Sequence, residues 1–263
     1  MRRNFAEILK TAKIDLLKEY TRLYNLFYTL RDKYGKTLAD ECAYAFLDVP
    51  FRGTCLSLKD FNESYGFNFE PNPKQFDINY LIIFCEYTYN LIIYLCEGYG
   101  YSYKHLYMQQ MWMVLDLVDY EFIRDDASVN ILIPRKQESL AVAEIVDEKL
   151  AYSVLEYNHH SLKGNLEKKK AILKLMADDI EPQRKILNGI NKTLADNLFQ
   201  MFQKFVRHNN EDNPYIKGLS KKELESCYDD IYQMWLLAKL EIDNLERKKR
   251  VEETLKQINS KNN

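Results

Sequence analysis

The chain has 263 residues and a mass of 31.4 kDa, enough for one large domain or two small ones with a hydrophobic core. Its net charge of −2 and isoelectric point near 6.2 exclude a protein that coats nucleic acid with a large basic surface, but they allow a small basic cleft that acts on RNA. Glycine (8) and proline (6) are scarce, so the composition favours long helices over a many-stranded sandwich or barrel.

Residues 1–138 are predicted to form an N-terminal helical region of unknown role. Apolar residues recur at helical spacing from residue 4 to about 34, and a shorter helix is predicted over 37–49. The periodicity fades over 50–77, where glycines and prolines predict an irregular loop with one short helix near 57–65. The aromatic residues of this loop indicate that it packs against the core.

The stretch 78–96 is almost continuously apolar, so it could be either a membrane-spanning helix or a buried one. It is nearly long enough to span a bilayer. However, it contains Asn79, Glu86 and Asn90, and an ionised glutamate near the middle of a span costs a few kcal/mol. We therefore predict a buried central helix and no membrane partner. Another helix is predicted over 103–119.

Two short runs of β-forming residues, 120–124 and 129–134, flank the polar sequence at 125–128. This pattern predicts a β-hairpin within residues 119–136. The predicted fold class is therefore all-α, mainly a helical bundle, with one small β-hairpin insertion. We place the domain division after the hairpin, so that residues 139–263 form a second helical bundle.

The second bundle is predicted from helical periodicity, over residues 139–162, 165–178, 192–207 and 221 to about 257. Ser220 and Glu223 have the spacing of a capping box at the start of the last helix. That helix carries an apolar seam, made by Leu224, Tyr228, Ile231, Trp235, Ala238, Ile242 and Leu245.

The cysteines and histidines point away from metal and cofactor chemistry. The five cysteines include no CxxC pair, which indicates reduced thiols and a cytoplasmic location. No four ligands have the short spacings of a zinc site, and P-loops, dinucleotide fingerprints and nucleophile elbows are absent, so we predict no metal and no cofactor. We interpret His105 as structural, and His159 and His160 as structural or surface residues.

The sequence FVRHNNED at 205–212 closes an apolar helix with a cluster of polar groups. Arg207 offers a planar, permanently charged fork for phosphate, and His208 titrates near neutrality and can act as general base or acid. Asn209 can donate a hydrogen bond to an oxyanion. RNA cleavage through the 2′-hydroxyl needs such groups. Alternatively, these residues only complement the negative end of the helix and stop it.

The segment 197–242 resembles the C-terminal part of the HEPN domains of bacterial abortive-infection systems. In those domains an apolar helix ends in an arginine followed by a polar residue, often histidine, and a short polar loop then leads to a capped long helix. Arg207 matches the arginine, His208 matches the polar position, and Ser220 begins the capped helix. The resemblance is confined mainly to these residues and does not extend to 1–138.

The resemblance implies a helical bundle that dimerises and cleaves RNA without a metal ion. Arg207 would bind or stabilise the scissile phosphate, and His208 would handle the proton. HEPN nucleases carry a histidine four to six residues after the arginine, and this chain has none there. Either His208 itself is the catalytic imidazole, or the protein has lost nuclease activity and keeps a binding role.

Three function hypotheses follow. The first is antiphage or toxin-type RNA cleavage by a homodimer, with Arg207, His208 and Asn209 as catalytic residues. The second is a non-catalytic interaction or regulatory module of an antiphage system, which would bind a protein partner through the aromatic loop 50–73 and the last helix. The third is a pocket for a nucleotide or other small ligand in the tyrosine-rich region 80–120.

Overall fold

The computed structural model describes residues 15–95, 103–124, 129–207 and 213–261. It is mainly helical with a small two-stranded antiparallel hairpin, which confirms the predicted fold class. The chain divides into two compact units, residues 1–132 and 133–263. This division falls within the second strand of the hairpin, whereas the sequence analysis placed it between residues 138 and 139.

The first unit is built from helices followed by the hairpin. In chain order, its described elements are α1 (Leu16–Tyr28), α2 (Leu38–Ala45), α3 (Leu58–Tyr65), α4 (Ile78–Ile92), α5 (Lys104–Leu117) and β1 (Tyr120–Arg124), with 3-10 turns at Phe46–Asp48 and Pro50–Arg52. The partner strand, β2 (Asn130–Pro134), runs across the division between the units. Asp15, Thr37, Ser57 and Asp77 cap the first four helices with their side chains, as expected for these residue types.

Helix α1 ends at Tyr28, earlier than the predicted end near residue 34. The cause is Asp32, whose carboxylate accepts hydrogen bonds from the backbone N–H groups of Tyr34 (2.8 Å) and Lys36 (2.9 Å) and so holds a turn. Gly35 lies in this turn with a φ of 76°, a conformation that suits glycine. The predicted part of the helix before residue 15 lies outside the described residues.

Helix α4 forms the centre of the first unit, as predicted for the apolar stretch 78–96. Its polar residues bind the hairpin. Asn90 Nδ2 donates to the carbonyl oxygen of Asn130 (2.7 Å), and Asn90 Oδ1 accepts from the N–H of the same residue (2.8 Å). Glu86 accepts from the N–H of Leu132 (2.5 Å). Within the described ranges, no helix is long and apolar enough to cross a membrane.

The loop 50–77 packs against the core, as its aromatic residues indicated. The short helix predicted near 57–65 is α3. Phe61 stacks on Phe67 with ring centres 5.7 Å apart, and Phe69 contacts Phe84 of α4 edge-on at 5.0 Å. These contacts turn most of the loop's aromatic surface inward.

The second unit is a helical bundle. Its described elements are α6 (Gln137–Ala143), α7 (Glu148–Glu156), α8 (Leu166–Ile180), α9 (Arg184–Ile190), α10 (Lys192–Met201) with a π-helical continuation (Phe202–Arg207), and α11 (Lys221–Lys261), with 3-10 turns at His160–Leu162 and Glu181–Gln183. The continuous helix predicted over 139–162 is wrong, since two helices and a 3-10 turn occupy this stretch. Asp147 causes the break, because its carboxylate accepts the N–H of Leu150 (3.0 Å) and starts α7.

The long helix α11 organises the core of the second unit. Its predicted seam is buried against α8 and α10 from Leu224 to Ile242, and Leu245 is half-buried. The predicted capping box is confirmed: the N–H of Ser220 donates to Glu223 (2.8 Å), and the N–H of Glu223 donates to Ser220 Oγ (3.2 Å).

Candidate functional site

Arg207 is the last residue of the π-helical segment that continues α10. Such segments are rare and occur frequently at functional sites. Phe202 and Val206 are buried in the core, while Arg207 is exposed. Of the predicted site residues, the structure describes Arg207, whereas His208 and Asn209 lie outside the described residues.

Arg207 forms ion pairs with carboxylates near the end of α8. Its Nη2 lies 2.8 Å from Glu181 Oε2 and 3.8 Å from Asp178 Oδ1. Arg184 Nη1 lies 3.4 Å from Glu181 Oε1, so two guanidinium groups share one carboxylate. The side chains of Arg207 and Glu181 are 36% and 38% exposed, so water partly screens this pair.

Arg184, Arg207 and Glu181 lie in a cleft of about 590 Å³ that belongs entirely to the second unit. Its charged lining has three basic and two acidic side chains, those of Arg184, Lys204, Arg207, Glu181 and Asp196. Two rings are associated with the cations: Arg184 lies 4.5 Å from the ring centre of Phe199, and Lys204 Nζ lies 4.7 Å from that of Tyr215. Phe199 is buried beneath Arg184, whereas Tyr215 is half exposed, so the cleft offers cations for a phosphate and one accessible ring, that of Tyr215, for a planar base.

Asn213 fixes the position of Tyr215 in the cleft. Its side-chain amide donates to the backbone carbonyl of Lys204, and its Oδ1 accepts from the N–H of Tyr215 (3.0 Å). The asparagine is itself buried, so these bonds are shielded from water. This buried link between the π-helical segment and the loop holds Tyr215 beside Lys204.

The sequence analysis identified Arg207 but not its neighbours. Glu181 lies in the 3-10 turn after α8, and Arg184 begins α9. Both precede Arg207 in the chain, and the packing of α8 against the π-helical segment brings them to it. Glu181 and Arg184 are three positions apart in the sequence, a spacing at which an acidic and a basic side chain on a helix can form an ion pair. Nothing in the sequence connected that pair with Arg207.

A second charged cluster in this unit is structural. Lys169 Nζ lies 2.8 Å from Glu225 Oε1 and 2.7 Å from Asp229 Oδ1, and the lysine side chain is only 7% exposed. The hydroxyl of Tyr157 donates to Asp229 Oδ1 (3.0 Å), and the N–H of Gly164 donates to Glu225 Oε1 (2.7 Å). The Gly164 N–H and then the Lys169 ammonium lower the pKa of the Glu225 carboxyl.

The first unit has an open groove of about 770 Å³ between α1 and α5. None of the described residues that line it is a tyrosine. Tyr87 and Tyr107 of the tyrosine-rich region instead pack in the core, where Tyr107 Oη lies 2.6 Å from Thr88 Oγ1. These tyrosines therefore do not form the ligand pocket that the third hypothesis requires.

Comparison of the chain with protein-family models, with curated proteins and with solved structures gives no match. The resemblance to HEPN domains is therefore a prediction from the residues of segment 197–242 alone.

Proposed function

We propose that the second unit binds RNA in the cleft around Arg207 and cleaves it as a HEPN-like, metal-independent endoribonuclease of a bacterial antiphage or toxin system. The observation that carries this proposal is that Arg184, Lys204 and Arg207 line one cleft together with the half-exposed ring of Tyr215. Guanidinium groups bind phosphate oxygens through paired hydrogen bonds, and aromatic rings stack on bases. The absence of a metal requirement comes from the resemblance alone.

In this proposal Arg207 holds the scissile phosphate and stabilises the charge that develops when the 2′-oxygen attacks phosphorus. His208, the next residue in the chain, is assigned a proton transfer, and Asn209 a hydrogen bond to the oxyanion. The assignments of His208 and Asn209 rest on the sequence, because both residues lie outside the described ranges.

The proposal is tested by incubating the purified protein with labelled tRNA and single-stranded RNA in the presence of EDTA. We expect cleavage by the wild type and a loss of about 100-fold or more in Arg207→Ala and in His208→Ala, the range typical of a lost charge-stabilising or acid–base group. Both variants should keep the wild-type melting temperature within a few degrees, since Arg207 is on the surface.

The matched control is Arg250→Ala, which removes an exposed arginine on α11 that does not line the cleft. This variant should cleave RNA like the wild type. Full activity of Arg207→Ala, or an equal loss in the Arg250 variant, would show that the cleft is not the active site.

A second candidate function is a non-catalytic HEPN-like module that binds a protein partner or regulates an antiphage system. The charge balance of the cleft favours it, because three cations against two carboxylates leave a net charge of only +1. Glu181 also already pairs with both Arg184 and Arg207. A wild-type protein that cuts no RNA in EDTA, and whose protein partner is still bound by the Arg207→Ala/His208→Ala variant, would support this function.

We also propose that the protein is a homodimer, joined through the C-terminal part of α11. The seam from Leu224 to Ile242 is already buried within its own unit. Val251, Leu255 and Ile258 are instead about half exposed, and their spacing places them on one helix face. In an antiparallel pair of these helices, Val251 would lie opposite the partner's Ile258, so the apolar stripes of the two chains would cover each other.

The dimer predicts a mass of twice 31.4 kDa in light scattering, about 63 kDa. Val251→Asp/Leu255→Asp should reduce this mass to that of one chain, because two carboxylates would face the apolar stripe. Lys249→Asp changes the net charge by the same −2 but lies on the opposite side of the helix, so it should leave the dimer intact. A single-chain mass for the wild type that is independent of concentration would contradict the proposal.

A further inference from the structure

We infer that Glu181 is the general base of the proposed cleavage and takes the proton from the attacking 2′-hydroxyl. The inference rests on the proposed function, since it names a catalytic group for the same cleft. Nothing in the sequence alone pointed to this residue.

The position of Glu181 follows from its contact with Arg207. In the proposed complex, Arg207 binds a non-bridging oxygen of the scissile phosphate, and this oxygen is bonded to the phosphorus that the 2′-oxygen attacks. The carboxylate of Glu181 lies 2.8 Å from Arg207 Nη2, so it is also close to the phosphorus and to the attacking 2′-oxygen. A general base must come within about 2.6–3.2 Å of the oxygen whose proton it takes. Glu181 can do so because its side chain is 38% exposed and lines the cleft.

Arg184 and Arg207 together orient the carboxylate. Arg207 contacts Oε2 and Arg184 contacts Oε1, so the plane of the carboxylate is held from both sides. Arg184 is itself held over the ring of Phe199. A guanidinium has five N–H donors, so Arg207 can bind the phosphate while it keeps its contact with Glu181. This arrangement makes Arg184 a positioning residue.

The other acidic groups near Arg207 are less suitable. Asp178 lies 3.8 Å from Arg207 Nη2, is 80% exposed and is not part of the cleft lining. Asp196 does line the cleft, but no ion pair joins it to an arginine in the part of the chain that the structure describes. Glu181 is therefore the carboxylate that both faces the cleft and contacts the phosphate-binding arginine.

The proposed step is an internal transfer that needs no further reactant. The carboxylate of Glu181 takes the proton of the 2′-hydroxyl, and the 2′-oxygen forms a bond to phosphorus. The bond from phosphorus to the 5′-oxygen breaks, its electron pair stays on that oxygen, and the oxygen takes up a proton, which is the transfer assigned to His208 in the proposed function. The products are a 2′,3′-cyclic phosphate and a 5′-hydroxyl end, and Glu181 returns its proton to water.

The test compares Glu181→Gln with the wild type for both RNA binding and cleavage. The amide has the same shape but is a far weaker base, so cleavage should fall about 100-fold or more. RNA binding should be unchanged or tighter, because a negative charge leaves the cleft.

The matched control is Glu167→Gln, which neutralises an exposed carboxylate of α8 outside the cleft and should cleave at the wild-type rate. Glu181→Asp keeps a carboxylate and should retain more activity than the glutamine variant. Wild-type cleavage by Glu181→Gln, or weaker RNA binding by it, would overturn the inference and leave the proposed function standing. Absence of cleavage by the wild type would instead overturn the proposed function, and the assignment of Glu181 with it.

Discussion

Replacing Trp235 by alanine is expected to lower the free energy of unfolding of the second unit by about 3–5 kcal/mol. Trp235 is fully buried in the middle of α11, where it belongs to the core cluster of this unit. Its removal leaves a cavity that helices α8 and α10 cannot fill without moving. Lys239 Nζ, which lies 6.0 Å from the indole ring centre, would also lose a neighbour.

Trp235→Phe is the matched control. The indole Nε1 is buried and makes no hydrogen bond within the described residues, so phenylalanine keeps much of the ring and gives up no bond. We expect a clearly smaller loss than in the alanine variant. Urea unfolding followed by circular dichroism measures the free energies, and hydrogen exchange of peptides from α8 and α11 assigns the loss to the second unit. Equal losses in both variants would show that the cavity is not the cause.

The buried face of α11 could be predicted because a helix of this length repeats its pattern many times. Every seam residue from Leu224 to Ile242 is buried, as the 3.6-residue period of the α-helix predicts. The ends and breaks of helices were harder to predict. Asp32 and Asp147 stop or restart a helix through side-chain hydrogen bonds to the backbone, and a polar residue between apolar ones does not interrupt periodicity.

The candidate site could be predicted only in part, for a different physical reason. Arg207 stands out because a helix ends there in a cluster of polar groups. Glu181 and Arg184 meet it through tertiary packing, which single-sequence periodicity does not encode. Asn213 was missed as well, since its effect on Tyr215 depends on a hydrogen bond to the backbone of Lys204. Arg207 could therefore be predicted as a site residue from the sequence, whereas its partners across the cleft could not.

The two charged clusters of the second unit differ in a way that bears on function. Lys169 is 7% exposed and sits between two carboxylates, so its charge is neutralised inside the bundle. Arg207 is 36% exposed and borders a cleft, so a ligand can reach it. Breaking a buried pair destabilises the fold, whereas an accessible arginine can bind a phosphate as well as its carboxylate. Because a ligand can reach Arg207 but not Lys169, we place the candidate ligand-binding site at Arg207.

Neutralising both carboxylates beside Lys169 is the second change with a large expected effect. Glu225→Gln/Asp229→Asn removes two charges but keeps the oxygens that accept from Gly164 and Tyr157. The ammonium of Lys169 is then buried without a counter-charge. Breaking a buried ion pair in this way costs about 3–5 kcal/mol, and we expect about 2–4 kcal/mol here because the side chain of Asp229 is half exposed.

Adding Lys169→Met to this variant should restore most of the lost stability. Methionine is unbranched and apolar and fills a similar space, so the triple variant buries no unpaired charge. Urea unfolding of the wild type and of the double and triple variants measures this recovery. A triple variant as unstable as the double one would mean that the loss comes from altered packing rather than from the unpaired ammonium.

The same cluster predicts how stability depends on pH. The pKa of Glu225 is held below its ordinary value of 4.5 in the folded protein, so its contribution to stability is present above that value. This contribution disappears as the pH falls through the lowered folded-state pKa, because protonation removes the charge that pairs with Lys169. The wild type should therefore lose stability below about pH 4.5, and the triple variant should lose less over the same range. Identical acid unfolding curves would show that Glu225 and Lys169 do not contribute through their charges.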